Sequence, residues 1–153
     1  MDEFFMKEAL REAQKAYEIN EVPIGAVIVK NGEIVGRRYN QKETMKDATL
    51  HAEISAIKDA CRNLGGWRLP GCTMYVTLEP CPMCAGALVN SRVEKLVIGA
   101  RDLKTGACGS VLNIVQTEKL NHQINVQFGI MEEDCTKVLK DFFWDLRSSK
   151  KHI

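Results

Sequence analysis

The sequence predicts an α/β fold in which helices cover both faces of a β-sheet. The alternation of two kinds of segment along the chain carries this prediction. Segments rich in Val and Ile alternate along the chain with segments whose apolar residues recur at every third or fourth position, and turn residues separate the two kinds of segment. The chain has 153 residues, of which 45% are hydrophobic and 27% are charged, a composition typical of a globular protein. We interpret residues 1–153 as a single domain.

The first predicted elements are a helix and a β-hairpin. A stripe of apolar residues at helical spacing spans residues 2–19. Residues 22–30 and 33–39 are predicted strands, because both are rich in Val and Ile. Asn31-Gly32 lies between them and favours a type I′ turn, since both residues tolerate a positive φ.

A second helix is predicted from His51 to Arg62. Gly65-Gly66 follows it, and glycine readily adopts the left-handed conformation that ends a helix. Helical periodicity places four side chains on its buried face: Ile54, Ile57, Ala60 and Cys61.

The second half of the chain continues the alternation of strand and helix. The predicted elements are a strand at 73–78, a helix at 82–90, a strand at 93–98, a short helix at 110–115, a strand at 124–128 and a final helix. Phe142 and Phe143 are neighbours in that last helix, so periodicity predicts that one of them enters the core without showing which.

Composition excludes several classes of protein. The longest apolar run is 24–29, far short of the ~20 residues of a membrane helix. Acidic residues occur throughout the first twenty positions, which is unlike a secretory signal. The net charge of +1 excludes a strongly basic nucleic-acid coat but leaves room for a local basic groove. We therefore expect a cytoplasmic protein with no membrane partner, in which the six cysteines are not needed for disulfides.

Two short motifs carry the predicted chemistry, His51-Ala52-Glu53 and Pro80-Cys81-Pro82-Met83-Cys84. Cysteines three residues apart lie on one face of a helix, and the positive end of the helix dipole favours the thiolates that bind metal. Two thiolates and one imidazole give zinc three ligands and leave the fourth position to water, as in catalytic zinc sites. A carboxylate beside that water is suited to general acid/base catalysis.

The spacing of the first motif sets a geometric condition. Glu53 lies two positions after His51, and on a regular helix their side chains diverge by about 200°. Both can face one site only if His51 lies at the very start of the helix. Two other interpretations are weaker. A redox-active cysteine pair has no need of the upstream HAE, and a structural zinc site has no compelling fourth ligand, because the remaining candidates are isolated in the sequence: Cys72, Cys108, His122 and His152.

The spacing of the two motifs, in which PCxxC begins 29 residues after the histidine of HAE, is that of zinc deaminases. The similarity extends to the segments at 22–27, 77–87 and 99–107, and it covers roughly residues 4–147. On these residues the sequence resembles the bacterial tRNA-specific adenosine deaminases of the cytidine deaminase superfamily. The resemblance implies a three-layer α/β/α cytidine-deaminase-like fold with a mixed five-stranded sheet.

The resemblance also implies an activity and a set of site residues. His51, Cys81 and Cys84 would hold one Zn²⁺ per subunit, and Glu53 would move protons during hydrolysis of adenosine to inosine and ammonia. The substrate would be the wobble adenosine of a tRNA, in particular an arginine tRNA, bound through its anticodon stem-loop by a homodimer. The implied substrate pocket consists of Val22, Pro23, Ile24, Asn40, Ala52, Glu79, Pro80, Asp102, Asn121, His122 and Phe143.

Two rival functions stay open. A deaminase of free bases or nucleotides (guanine, cytosine or dCMP) would share the zinc site and differ in the pocket around Asn40, Asp102 and His122. A non-catalytic zinc-stabilised RNA-binding domain would have no use for Glu53. Basic residues give weak independent support to nucleic-acid binding, since a charge run at a chain end is usually only solvated: Arg37, Arg38, Arg147, Lys150, Lys151 and His152.

Overall fold

The computed structural model describes residues 1–151, with side chains for residues 1–149, and shows a five-stranded sheet between two layers of helices. In chain order the elements are α1 (Asp2–Glu18), β1 (Gly25–Lys30), β2 (Glu33–Tyr39), α2 (Ala52–Leu64), β3 (Cys72–Leu78), α3 (Pro82–Asn90), β4 (Lys95–Ala100), β5 (Asn125–Phe128) and α4 (Glu132–Lys151). The predicted three-layer arrangement is confirmed. The side chains of Lys150, Lys151 and His152, named above as basic residues, lie outside the described part.

The sheet is mixed, as predicted, with the strand order β2-β1-β3-β4-β5. β1 runs antiparallel to both of its neighbours, whereas β3, β4 and β5 are parallel. The hairpin turn is confirmed, because Asn31 and Gly32 have φ values of 51° and 78°. The parallel strands need crossover connections. α3 makes the first crossover and residues 101–124 make the second.

Alternate side chains of the strands enter two separate cores, because successive residues of a strand point to opposite faces. Those facing α2 and α3 are Ala26, Ile28, Met74, Val76, Leu96 and Ile98. Those packed with α1 and α4 are Val27, Val29, Tyr75 and Val97. Both faces of the sheet are therefore buried. Within the described residues, no helix is long and apolar enough to cross a membrane.

The predicted buried face of α2 is confirmed for Ala60 and differs at its larger residues. The side chains against the sheet are small and include Ala52, Ala56 and Ala60. The larger predicted residues are only half-buried: Ile54, Ile57 and Cys61. A Cβ atom on Gly36 of β2 would lie 2.5 Å from the carbonyl oxygen of Ala56, so helix and strand approach too closely for bulky side chains between them.

The predicted short helix at 110–115 is wrong, because this segment forms a tight turn. The N–H groups of Val111 and Leu112 both donate to the carbonyl of Gly106, and Cys108 pairs with Asn113 in an isolated β-bridge. Tertiary hydrogen bonds override local propensity here. The carboxylate of Glu79 accepts the N–H groups of Cys108 and Ser110.

Candidate active site

The N-termini of α2 and α3 meet in a group of three metal-ligating side chains. His51 Nδ1 lies 3.5 Å from Cys81 Sγ and 3.6 Å from Cys84 Sγ. All three potential ligand atoms lie within 4.8 Å of one another. These side chains can therefore hold a metal ion.

Local helix chemistry explains why this group forms. His51 and Cys81 are the N-cap residues of α2 and α3, both with extended backbone, and neither side chain caps its own helix. Both are therefore available as ligands. Pro82 at the first position of α3 sacrifices no helical hydrogen bond, and the unpaired N–H groups of the first turn favour a thiolate on Cys81.

Glu53 lies beside the three ligands. Because His51 precedes the first residue of α2, the geometric condition set by the HAE spacing is met. Glu53 is only 4% exposed, and Cys81, His51 and Cys84 all act on its pKa. The group therefore combines metal ligands with a buried carboxylate.

The ionisation of these groups is coupled. Burial raises the pKa of Glu53 to about 7, and the negative charge of Cys81 acts in the same direction. A hydrogen bond from Cys84 lowers the pKa of Cys81 to about 4, with His51 also lowering it. The same hydrogen bond and burial raise the pKa of Cys84, and the bond to Cys81 raises that of His51. Cys81 is thus a thiolate at neutral pH, which suits cation binding.

Asn40 joins two loops that form one wall beside this group. Its Nδ2 donates to the carbonyl of Val22 at 3.2 Å, and its backbone N–H donates to the carbonyl of Ile24 at 3.1 Å. Its Oδ1 accepts the N–H of Lys42 at 3.3 Å. Pro23 is buried between these contacts. Asn40 therefore holds residues 22–24 in place, and one amide hydrogen and one lone pair are left for another partner.

Pro80 and Asp102 belong to a second wall. The carbonyl of Pro80 accepts the N–H of Ala107 at 2.9 Å. The Asp102 carboxylate accepts the N–H groups of Lys104 and Thr105, each at 3.0 Å. Asp102 thus caps its own turn. Glu79 is buried beneath this turn and contacts residues of the same loop.

Two adjoining cavities open beside these walls. The larger, of about 800 Å³, is lined by four basic residues and two exposed aromatic residues among others: Arg101, Lys104, Lys140, Arg147, Phe143 and Trp144. The smaller, of about 510 Å³, reaches Val22, Ile24 and Asp102. Leu78, Leu139 and Phe143 line both cavities. His51, Cys81 and Cys84 line neither cavity.

The last helix supplies the aromatic part of this surface. Phe142 is 4% exposed and packs against Tyr17, whereas Phe143 is 40% exposed and lines both cavities. The prediction that one of the two enters the core is confirmed. Sequence reasoning missed Lys140 and Trp144, although positions 140, 143, 144 and 147 share one face of a helix and this signal was readable.

Asn121 and His122 are not brought together with the other predicted residues. Asn121 is exposed, and His122 Nε2 lies 2.7 Å from the carbonyl of Val93, to which it donates. Val93 precedes β4, and the next residue bonds to the carbonyl of Cys72 at the start of β3. Cys81 follows the other end of β3. His122 and Cys81 therefore lie at opposite ends of the parallel strands.

Comparison with known proteins identifies the family to which the chain belongs. The sequence matches the MafB19-like deaminases over residues 1–147. The chain therefore belongs to this deaminase family. It is 56% identical, over 150 residues, to the tRNA-specific adenosine deaminase of Bacillus subtilis strain 168, and the match covers 98% of this chain and 93% of that protein.

Two solved structures are similar to this one. The first comes from studies of A-to-I editing by tRNA:A34 deaminases at the wobble position of transfer RNA. Its TM-score is 0.86 with 43% identity, covering 89% of this chain and 99% of the other. The second is a guanine deaminase from Bacillus subtilis, with a TM-score of 0.62 and 40% identity over 65% of this chain and 64% of the other. The predicted cytidine-deaminase-like fold is confirmed.

Proposed function

We propose that this protein is a zinc-dependent tRNA-specific adenosine deaminase that converts the wobble adenosine of a tRNA to inosine. One observation carries the proposal: His51, Cys81, Cys84 and Glu53 converge at two helix N-termini. They do so in a chain that is 56% identical to a protein named for this activity. We further propose that residues 1–153 act as one deaminase domain.

The spacing of the three ligands supports zinc as the metal. Tetrahedral zinc has Zn–S and Zn–N bonds of about 2.3 and 2.0 Å, which separate a sulfur and a nitrogen ligand by about 3.5 Å. The separations here are 3.5 and 3.6 Å. Two thiolates and one neutral imidazole balance the charge of one Zn²⁺ per subunit. When bound, zinc supplies a Lewis acid that lowers the pKa of water to about 7.

Glu53 is the proposed proton carrier. Its buried carboxylate lies beside Cys84, within the group that faces the metal. In the hydrolysis of adenosine, a C6–O bond forms, the C6–N bond breaks, and ammonia leaves. Glu53 takes one proton from the attacking water and gives it to N1 of the purine. It then takes the remaining proton from the new C6 hydroxyl and gives it to the departing amine, which leaves the C6 carbonyl of inosine.

The adenine is proposed to lie between the two walls. On one side lie Val22, Ile24 and the side-chain amide of Asn40, which has one hydrogen and one lone pair available for the base. On the other side lie Pro80 and Asp102. Ala52, in the first turn of α2, has a backbone N–H without an intrahelical acceptor. Asn121 and His122 are omitted from this pocket because they lie at the opposite end of the parallel strands.

The larger cavity suits the nucleotides that flank the wobble base. Exposed Phe143 and Trp144 offer stacking surfaces, and the four basic residues around them offer phosphate contacts. An anticodon loop presents unstacked bases of this kind. An arginine tRNA as the substrate, a homodimer as the assembly and the cytoplasm as the compartment complete the proposal, and they rest on the resemblance to the tRNA deaminases.

Guanine deamination is the second candidate. It is favoured by the 40% identity to a solved guanine deaminase. In this chain either function would use the same candidate ligands, His51, Cys81 and Cys84, so the substrate alone separates the two functions.

The zinc-loaded protein should be given an anticodon stem-loop RNA with adenosine at the wobble position, and free adenosine, cytidine and guanine in parallel. Inosine in the RNA alone is the expected result. Ammonia from guanine with inert RNA would establish the second candidate instead. No ammonia from any substrate would contradict both and leave a zinc-stabilised RNA-binding domain.

Replacing the proton carrier tests the chemistry. Glu53→Gln should retain one zinc per chain and lower the deamination rate by about 10²- to 10⁴-fold, because general acid/base catalysis is lost. Glu33→Gln, at an exposed position of β2, is the matched control and should keep full activity. An active Glu53→Gln protein would refute the assignment.

A further inference from the structure

Glu79 connects the metal-binding segment to the loop that carries Asp102. It lies between the end of β3 and Pro80-Cys81, and it is 2% exposed. Its Oε1 accepts the N–H of Asp102 at 3.1 Å and the hydroxyl of Ser110. Its Oε2 accepts the N–H groups of Cys108 at 3.0 Å and Ser110 at 3.1 Å. All four donors belong to residues 102–110.

These four hydrogen bonds use the whole accepting capacity of the side chain. An ionised carboxylate offers about four lone-pair sites and no donor. Glu79 therefore has no acceptor left for a substrate. Hydrogen bonds to an ionised acceptor are stronger than neutral ones, and a buried carboxylate needs them, so the loop and the carboxylate stabilise each other.

The backbone around Glu79 reinforces the same connection. Its own N–H donates to the carbonyl of Ala100 at 2.9 Å, and the carbonyl of Pro80 accepts the N–H of Ala107 at 2.9 Å. A Cβ atom on Gly106 would lie 2.4 Å from both the Asp102 carbonyl oxygen and the Glu79 carboxyl carbon. The loop therefore packs directly on this carboxylate, and only glycine fits there.

We propose that Glu79 is a positioning residue for the reaction. Its carboxylate fixes residues 102–110 as a pocket wall at a set distance from the candidate ligands Cys81 and Cys84, and it does not bind the substrate itself. This inference rests on the proposed deaminase function. It gives Glu79 a different role from the substrate contact that the resemblance implies.

Glu79→Gln tests the proposal, because glutamine keeps the shape but replaces one acceptor oxygen by an NH₂ group that faces N–H donors. Zinc should stay at one per chain. The KM for the stem-loop RNA should rise about tenfold to a hundredfold with little change in kcat, as expected for losing hydrogen bonds to a charged group. In hydrogen exchange, the amides of Cys108 and Ser110 should lose protection while those of α2 and α3 keep theirs.

Glu12→Gln is the matched control. Glu12 is also 2% exposed, but it pairs with Lys15 and Arg37 on the α1 side of the sheet. It should lower the melting temperature and leave KM unchanged, which separates positioning from general stability. Ser110→Ala removes one hydroxyl donor with little risk to folding and should give a smaller rise in KM. In the double variant the two rises should not add, because Ser110 acts through Glu79.

Three results would overturn the proposal: a KM unchanged in Glu79→Gln and Ser110→Ala, a fall in kcat alone with zinc retained, or loop amides as protected as in the wild type. The wild-type assay separates this inference from the function on which it rests. An inactive wild-type protein contradicts the proposed function, while the exchange data still decide whether Glu79 holds the loop.

Discussion

His51, Cys81 and Cys84 lie within 33 positions of one another and face one point because two helices begin there. The two walls beside this group draw on residues from Val22 to Asp102, and buried side chains hold them in place. Glu21 accepts the N–H groups of Glu43 and Thr44, and Glu79 accepts those of Cys108 and Ser110. Helix-end geometry thus sets the candidate metal site, whereas buried carboxylates hold segments that are distant in sequence together as its walls.

The largest expected effect is on the candidate metal site. Cys84→Ala removes one of three ligands, so zinc should fall from one per chain to near zero and deamination should be lost. Zinc is measured by elemental analysis of the purified protein. Cys61→Ala, at a half-buried cysteine outside the group, is the control and should keep its zinc.

The same variant sharpens the comparison. If the wall is held by its own hydrogen bonds, the amides of residues 102–110 should stay protected in Cys84→Ala after the metal is lost. Loss of protection there would mean that the metal holds the wall as well. Retention of a full zinc in Cys84→Ala would refute the ligand assignment.

A second pair of variants compares core with pocket on one helix. Phe142→Ala should lower the free energy of unfolding by about 3–5 kcal/mol, because a buried ring is lost. Phe143→Ala should leave stability nearly unchanged and weaken RNA binding by about 1–3 kcal/mol, the magnitude of base stacking on an aromatic ring. Urea unfolding and RNA titration measure the two quantities. Equal losses of stability would contradict the distinction.

The smallest effect concerns the basic rim of the larger cavity. If Lys140 contacts a phosphate, Lys140→Ala should weaken RNA binding modestly and reduce the slope of log K against log salt by about 1. Lys119→Ala, at an exposed lysine that lines neither cavity, should leave the slope unchanged. A shared slope for wild type and Lys140→Ala would remove this residue from the RNA surface.

The sequence alone determined the α/β layering, the hairpin turn and the order of all five strands along the chain. It also supplied the metal-ligating motif and the condition that His51 begin a helix, which α2 meets. These features depend on residues a few positions apart, where the periods of helix and strand and the conformations of single turn residues decide the geometry.

Only the tertiary structure decided the rest. It showed that alanines rather than Ile54 face the sheet, that residues 110–115 form a turn, and that His122 lies far from Cys81. It also showed that Phe142 is buried whereas Phe143 is exposed. All four hydrogen bonds that the Glu79 carboxylate accepts come from within the protein. Each outcome depends on how closely distant segments approach and on which buried polar groups find partners, and neither quantity is written in the local pattern of residues.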